Sequence, residues 1–258
     1  MLDVNTKNPF SLYGRKILIT GASSGLGRQC AIQCSNSGAQ LIITGRNRLR
    51  LEETVSLMSH GSHELFEADL EDYSSYETIV NFAISTFGKI DGFVHSAGIE
   101  LSLPVTSMQP KYYEQLFKVN VISGFEIAKF LISKKLVPPT GGSLVFMASS
   151  MGELGQAGKI GYCSSKGALV NGVRALALEL ASKKIRVNSV SPSVCKTKMT
   201  ETLFANISEE AKGMILKMHP LGLGDSESVA HAVVYLLSDA AKWVTGSNLK
   251  IDGGYSAH

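Results

Sequence analysis

The sequence predicts an α/β protein: a three-layer, doubly wound, mostly parallel sheet in a single domain over residues 1–258. Three observations predict it. Short apolar runs alternate with helical segments along nearly the whole chain, which implies parallel strands joined by crossover helices. Most of those runs are apolar at consecutive positions, as strands covered on both faces require. No internal repeat, low-complexity tract or linker interrupts the alternation, and 258 residues at 44% hydrophobic content can bury a substantial core.

The elements follow in order. KILIT (16–20) is a buried strand stopped by a glycine turn, and residues 26–37 are a helix ended by Gly38. AQLIITG (39–45) is a second strand, and residues 47–58 place Leu49, Val55 and Leu57 on a helical pattern. HELFEADL (63–70) is a third strand, 74–87 a third helix and KIDGFVHSAG (89–98) a fourth strand with its turn. One long helix is predicted over 111–136, stopping before Pro138-Pro139. GGSLVFMASS (141–150), a helix over 161–181 and KIRVNSVSP (184–192) complete the series before a last helix and strand. Residues 1–13 read as a lead-in, and 198–218 as an insertion that covers the substrate.

Bulk composition excludes several functions. A formal charge of +3 with no basic block is not a nucleic-acid footprint. Cys30, Cys34, Cys163 and Cys195 lack metal-ligand spacing and read as reduced thiols. His60 and His63 form the only close histidine pair and read as a solvated helix end rather than a metal site. No apolar run reaches the roughly 18 residues that span a bilayer, and no apolar leader is visible, so the cytoplasm is the expected setting.

Chemistry enters at TGASSGLG, where Thr20, Gly21, Gly25 and Gly27 form a glycine turn between the first strand and the first helix. Such a turn lets the backbone approach a pyrophosphate at a helix N-terminus. The same letters match G-x-S-x-G, the nucleophile elbow of α/β-hydrolases. That elbow belongs after several strands, however, and it leaves Gly27, Tyr162 and Lys166 without a role. After the second strand, Arg46 stands where an NAD-preferring site needs a carboxylate; an arginine suits a 2′-phosphate, favouring NADP(H) over NAD(H). In GYCSSK (161–166), Tyr162 and Lys166 are four apart and share a helix face. A tyrosine, with a pKa near 10, becomes a proton partner at neutral pH when a cation stabilises its phenolate.

In these motifs the chain resembles the short-chain dehydrogenases/reductases in their compact single-domain form, from Gly14 to Tyr255. The pattern is most similar to the 3-oxoacyl-[acyl-carrier-protein] reductases. The resemblance implies a Rossmann-type, seven-stranded fold and hydride transfer between a ketone and a secondary alcohol. It implies Tyr162 as acid/base, Lys166 as its cationic partner and ribose ligand, Ser149 (rather than Ser150) holding the carbonyl oxygen, and Asn120 anchoring a relay water. The implied cofactor positions are Gly21, Ser23, Ser24, Gly25, Leu26, Gly27, Arg46, Asp69, Leu70, Ala97, Gly98, Pro192, Cys195 and Thr197, with Tyr162 and Lys166. Two departures stand out: His95-Ser96-Ala97-Gly98 replaces the usual N-N-A-G, and Ser193 replaces a glycine. His95 is expected to brace the sheet, and Cys195 to act through packing or its backbone.

For the substrate, the resemblance favours a 3-oxoacyl thioester. Carrier-docking arginines correspond to Thr140 and Lys183, a partial match to an acyl carrier protein, with Lys134 and Lys135 near in sequence. Met199, Leu203, Phe204, Met214, Ile215 and Met218 would make an apolar roof. A sugar or polyol reductase, and a non-catalytic NADP-binding regulator, are the alternatives. A homotetramer is implied by the family, with Gly167, Ala168, Gly172 and Ala175 allowing helices of two subunits to approach.

Overall fold

The computed structural model describes residues 8–133, 137–138, 140–196, 198–205 and 207–257, and within them the side chains of 198, 199, 202 and 203 are left aside. Seven parallel strands form one sheet: β1 (Lys16–Thr20), β2 (Gln40–Gly45), β3 (His63–Glu67), β4 (Gly92–His95), β5 (Gly142–Met147), β6 (Ile185–Pro192) and β7 (Asn248–Ile251). Their spatial order is β3-β2-β1-β4-β5-β6-β7. The predicted doubly wound sheet is therefore present, and every described pairing in it is parallel.

The strands are apolar at consecutive positions because each feeds two cores. Ile17, Ile19, Leu41, Ile43, Val94, Val145 and Val190 point to one side. There they pack with Cys30, Ala31 and Cys34 of α1 (Gly25–Asn36) and Val229, Val233 and Leu236 of α9 (Ser226–Leu237). The alternate residues Leu18, Ile42, Phe93, Leu144, Phe146 and Val187 face α3 (Ser74–Phe87), α5 (Ser123–Ser133) and α6 (Ile160–Leu180). This is the period-two pleat with helices on both faces.

Two helices differ from expectation. In α2 (Arg48–Ser56) the buried residues are Leu51 and Thr54, whereas Leu49 and Leu57 are exposed. Thr54 is drawn inward because its hydroxyl donates to the Ala22 carbonyl, a polar contact that hydrophobic spacing does not reveal. The single helix predicted over 111–136 is α4 (Pro110–Phe117) and α5, joined by one wide turn, Lys118–Ile122, with hydrogen bonds five residues apart. At this join a Cβ on Gly124 would stand 2.6 Å from the His95 ring, so the helix passes directly over β4. Residues 134–136, the predicted end of that helix, lie outside the described residues.

The strand order reverses between β1 and β4, and the ligand crevice of such a fold opens above the carboxyl ends of the strands at that point. The stretch 198–217 contains α7 (Lys198–Ala205) and α8 (Glu209–Lys217). Thr140 and Lys183 are exposed, and they precede the first residues of β5 and β6 at the opposite end of the sheet. Within this chain they do not border the crevice, because both sit before their strands rather than after them. Gly172 likewise has an internal reason to be small, since a Cβ there would stand 2.5 Å from the Phe125 ring of α5. Among the described residues no helix is long and apolar enough to cross a membrane, and no His/Cys/Asp/Glu group could hold a metal ion.

Candidate active site

A cleft of about 1130 Å³ lies at the reversal point of the sheet. One end is built from backbone. Gly21 and Gly25 sit at φ of 70° and 56°, in the left-handed region that favours glycine. A Cβ on Gly27 would stand 2.2 Å from the Gly21 carbonyl oxygen, so the first turn of α1 folds directly onto the loop it leaves. Ser24 caps α1 with no side-chain hydrogen bond, which leaves the first amides of the helix to a ligand. Ser23, Ser24, Leu26, Asp69, Leu70, Ala97 and Gly98 line the same cleft. Arg46 stands at its far wall, 62% exposed and 3.6 Å from Glu71 Oε1.

Sequence reasoning missed three side chains of this wall: Arg28, Arg50 and Glu53. The Arg28 guanidinium donates to the Ser23 carbonyl at 2.8 Å, to Glu53 Oε2 at 2.9 Å and to the Arg50 carbonyl at 3.2 Å. It is a strut joining the glycine turn to α2, and its position one residue past Gly27 was the available signal. Arg48 points elsewhere and pairs with Glu52 along its own helix.

The other end is built from side chains. Tyr162 and Lys166 lie on α6, and Ser149 lies just past β5; all three line the cleft. The 21-residue α6 is fixed at this point by Gly152, where a Cβ would stand 3.0 Å from the Lys166 carbonyl oxygen. Lys166 is buried, and its Nζ donates to the Met147 carbonyl at 2.8 Å. Burial brings its pKa down to about 8. Burial likewise pushes the Tyr162 phenol up to about 12, and the hydrogen bond from Ser149 pulls the other way without prevailing. Ser149, not Ser150, is thus the serine that reaches the phenol. The Lys166 ammonium sits 5.8 Å from the Tyr162 ring centroid and is held by the Met147 carbonyl.

Asn120 is fully buried and does not line the cleft. Its Oδ1 accepts from the Ile99 amide at 2.8 Å, and its Nδ2 donates to the Ile99 carbonyl at 3.0 Å and the Ser165 hydroxyl at 3.0 Å. The side chain clamps the loop after β4 to α6. A Cβ on Gly98 would stand 3.4 Å from both Asn120 Oδ1 and Lys166 Nζ, so the small residue keeps this corner open.

The two departures have structural reasons. His95 Nδ1 shares a 3.0 Å hydrogen bond with Thr20 Oγ1, which also accepts from the Ala97 amide at 3.3 Å. The histidine therefore braces β4 against β1, and burial brings its pKa down to about 3. Ser193 Oγ lies 2.8 Å from His219 Nε2, while His219 Nδ1 lies 2.7 Å from the Ile215 carbonyl oxygen. A carbonyl only accepts, so Nδ1 carries the proton and Ser193 donates to Nε2. His219 also stacks on Tyr255 at 4.8 Å, tying the loop after β6 to α8 and the C-terminal turn. Cys195 lines the cleft and is buried, and that burial pushes its thiol up to about 11, away from the range of a reactive thiolate. Pro192 lines the cleft; Thr197 lies outside the described residues.

Of the described side chains in 198–218, Thr200 lines the cleft, whereas Phe204, Met214, Ile215 and Met218 do not. Met199 and Leu203 are among the side chains left aside. The cleft's open end is walled instead by Glu100, Ser102, Gln156 and Lys159.

The glycine cradle, the free helix terminus and the Arg46 wall fit a nicotinamide dinucleotide, whose pyrophosphate the first amides of α1 would hold. Comparisons with known proteins agree. A family model described as Enoyl-(Acyl carrier protein) reductase matches residues 21–256. L-xylulose reductase from Mesocricetus auratus is 31% identical over 95% of this chain and 97% of its own. A 3-oxoacyl-[acyl-carrier-protein] reductase from Thermotoga maritima is 30% identical over 94% and 98%. A solved structure with bound NADP, provisionally described as a 2-deoxy-D-gluconate 3-dehydrogenase from Agrobacterium tumefaciens, superposes with TM-score 0.88 at 29% identity, covering 98% of this chain and all of that one. A 7α-hydroxysteroid dehydrogenase complexed with NADH reaches the same TM-score at 28% identity over 98% of both chains. With the motifs in their predicted order along this sheet, these matches establish that the chain belongs to the short-chain dehydrogenase/reductase family, oxidoreductases that act on alcohols and ketones with a nicotinamide cofactor.

Proposed function

We propose that the protein is an NADP(H)-dependent enzyme that interconverts a ketone and a secondary alcohol, with Tyr162 as the proton donor. The observation that carries this reading is the meeting of Tyr162, Ser149 and Lys166 at the end of a cleft whose other end is a phosphate cradle. The cofactor, when bound, supplies or accepts the hydride. Ser149 holds the carbonyl oxygen beside the phenol, and Tyr162 protonates it as charge develops. A phenol with a pKa of about 12 stays protonated at neutral pH, so the free protein is set up to donate a proton to an alkoxide. Lys166 keeps a positive charge at that end of the cleft below about pH 8, favouring the developing anion. Asn120 positions both partners by holding Ile99 and Ser165. A binding protein without turnover has no need of this donor set.

Arg46 supports NADP(H) over NAD(H), since its guanidinium has only an exposed, 3.6 Å pairing to give up. The family resemblance also supports a homotetramer. A 3-oxoacyl thioester remains in the substrate range on the family pattern, although the carrier-docking positions Thr140 and Lys183 lie away from this chain's cleft.

Purified protein with NADPH and a panel of ketones tests the reading. Turnover of at least one carbonyl is expected, and Tyr162→Phe should lower kcat by roughly a thousandfold while NADPH affinity changes little. Retained activity in Tyr162→Phe would sink the assignment.

A further inference from the structure

The substrate end of the cleft carries an ion pair that the chemistry above does not use. Glu100 lies on the loop after β4, directly after Ile99, whose amide and carbonyl are both held by Asn120. Lys159 caps the N-terminus of α6, three residues before Tyr162. Lys159 Nζ and Glu100 Oε1 are 2.5 Å apart, with side chains 18% and 30% exposed. The two loops are stitched together by the Leu103 amide donating to the Gly158 carbonyl at 2.8 Å. Ser102 Oγ donates to Glu100 Oε1 at 3.4 Å, and Gln156 lines the same rim. The Glu100 charge reaches Tyr162, where it helps to push the phenol pKa upward.

We propose that Glu100 and Lys159 are the hydroxyl-reading part of the substrate site, and that the substrate is a small polyhydroxylated ketone or the polyol it becomes. This rests on the reading that Tyr162 exchanges a proton with the substrate. A carboxylate only accepts and an ammonium only donates. Neighbouring hydroxyls, which do both, can bridge the pair with one donating to Glu100 and the next accepting from Lys159. An aliphatic acyl chain laid over the same pair would strip water from two charges and return no hydrogen bond. A carboxylated substrate would gain from Lys159 what it loses to Glu100. The exposure and pairing of these residues therefore favour neutral hydroxyls over either alternative.

Steady-state kinetics with NADPH on a five-carbon 2-ketose, S-acetoacetyl-N-acetylcysteamine and cyclohexanone test this. The wild type should prefer the ketose by roughly tenfold or more in kcat/KM. Glu100→Gln and Lys159→Met should each cut the ketose-to-cyclohexanone ratio by roughly tenfold, mainly through KM. A second readout is thermal unfolding with NADP and a five-carbon polyol: the polyol should raise the midpoint of the wild type more than that of either variant. A wild type that prefers the acetoacetyl thioester, or a ratio that survives both substitutions, would overturn the proposal. Absence of turnover on every carbonyl would instead refute the role of Tyr162, and the polyol-induced shift would then decide the pair by itself.

Discussion

The two ends of the cleft are built from different material. Around the glycine turn the determinants are backbone approaches, with Gly21 within 2.6 Å of Ala97 and Gly27 within 2.2 Å of Gly21 once a Cβ is imagined. Around Tyr162 they are side chains gathered from four segments: Ser149 after β5, Tyr162 and Lys166 on α6, and Glu100 after β4, with Asn120 behind them. A backbone site tolerates no added bulk, whatever its polarity. A side-chain site tolerates bulk better but is retuned by any change of charge or proton affinity.

The largest effect on cofactor affinity should come from breaking the backbone end. In Gly27→Ala the new methyl overlaps the Gly21 carbonyl, and neither atom belongs to a flexible side chain that could yield. Overpacking of this kind costs about 1–3 kcal/mol, and relief requires the turn to move off its ligand position. NADPH affinity should fall by roughly a hundredfold, or about 3 kcal/mol, with urea unfolding showing a smaller loss of stability. Fluorescence titration of NADPH checks this, and an affinity near the wild-type value would show that the cradle is softer than its geometry.

An intermediate effect belongs to His95, which joins the two ends by bonding Thr20 beneath the turn while lying under Gly124 of α5. Its pKa falls from 6.5 when unfolded to about 3 when folded, because burial disfavours the imidazolium and the nearby Lys166 charge adds to that. The unfolded chain therefore takes up a proton that the folded protein refuses. The stability this lends is complete above pH 6.5 and is lost as pH falls toward 3. Between pH 6.5 and 5 the loss is about 2 kcal/mol at 1.36 kcal/mol per unit. His95→Asn keeps a bracing amide and removes the titration. Urea unfolding of both proteins at the two pH values should show the wild type losing about 2 kcal/mol more than the variant. Equal losses would mean that His95 is solvated in solution.

The same division explains what the sequence made legible. Strand, glycine turn and helix are local, so β1, Gly21, Gly25, Gly27 and α1 were readable from the consecutive letters of residues 16–36. The shared face of Tyr162 and Lys166 was readable too, because helical spacing supplies it, while their roles came only with the resemblance. Asn120 as a clamp on Ile99, Glu100 against Lys159, and Ser193 against His219 depend on contacts 21, 59 and 26 residues apart. Only the fold supplies those. The described apolar side chains of 198–218, Phe204, Met214, Ile215 and Met218, do not line the cleft, because hydrophobicity carries no direction in the fold. Proton affinities were the least legible quantity. The Tyr162–Lys166 spacing suggests a lowered phenol pKa, whereas burial at that end of the cleft outweighs the helper hydrogen bond from Ser149.

The smallest effect should come from Arg46, the one side chain on which cofactor choice at the backbone end is argued to depend. It is 62% exposed, and its 3.6 Å contact with Glu71 is worth little in water. Arg28, by contrast, is committed to Ser23, Arg50, Glu53 and Thr54, and cannot leave them without loosening the turn. Arg46 therefore has less to lose than Arg28 by turning toward a 2′-phosphate, and an aspartate at the same position would accept ribose hydroxyls instead. Arg46→Asp should lower NADPH affinity by roughly tenfold and leave NADH affinity equal or better, a charged hydrogen bond being worth about 1.5–3 kcal/mol before screening. Raised ionic strength should narrow the wild-type preference in the same direction, because the contact is exposed. Titrations of both nucleotides against both proteins separate the outcomes. If the NADPH-to-NADH ratio is unchanged in Arg46→Asp, the phosphate contact belongs to Arg50 or Arg28, and the side-chain logic of the substrate end extends further into the cofactor end than the glycine turn suggests.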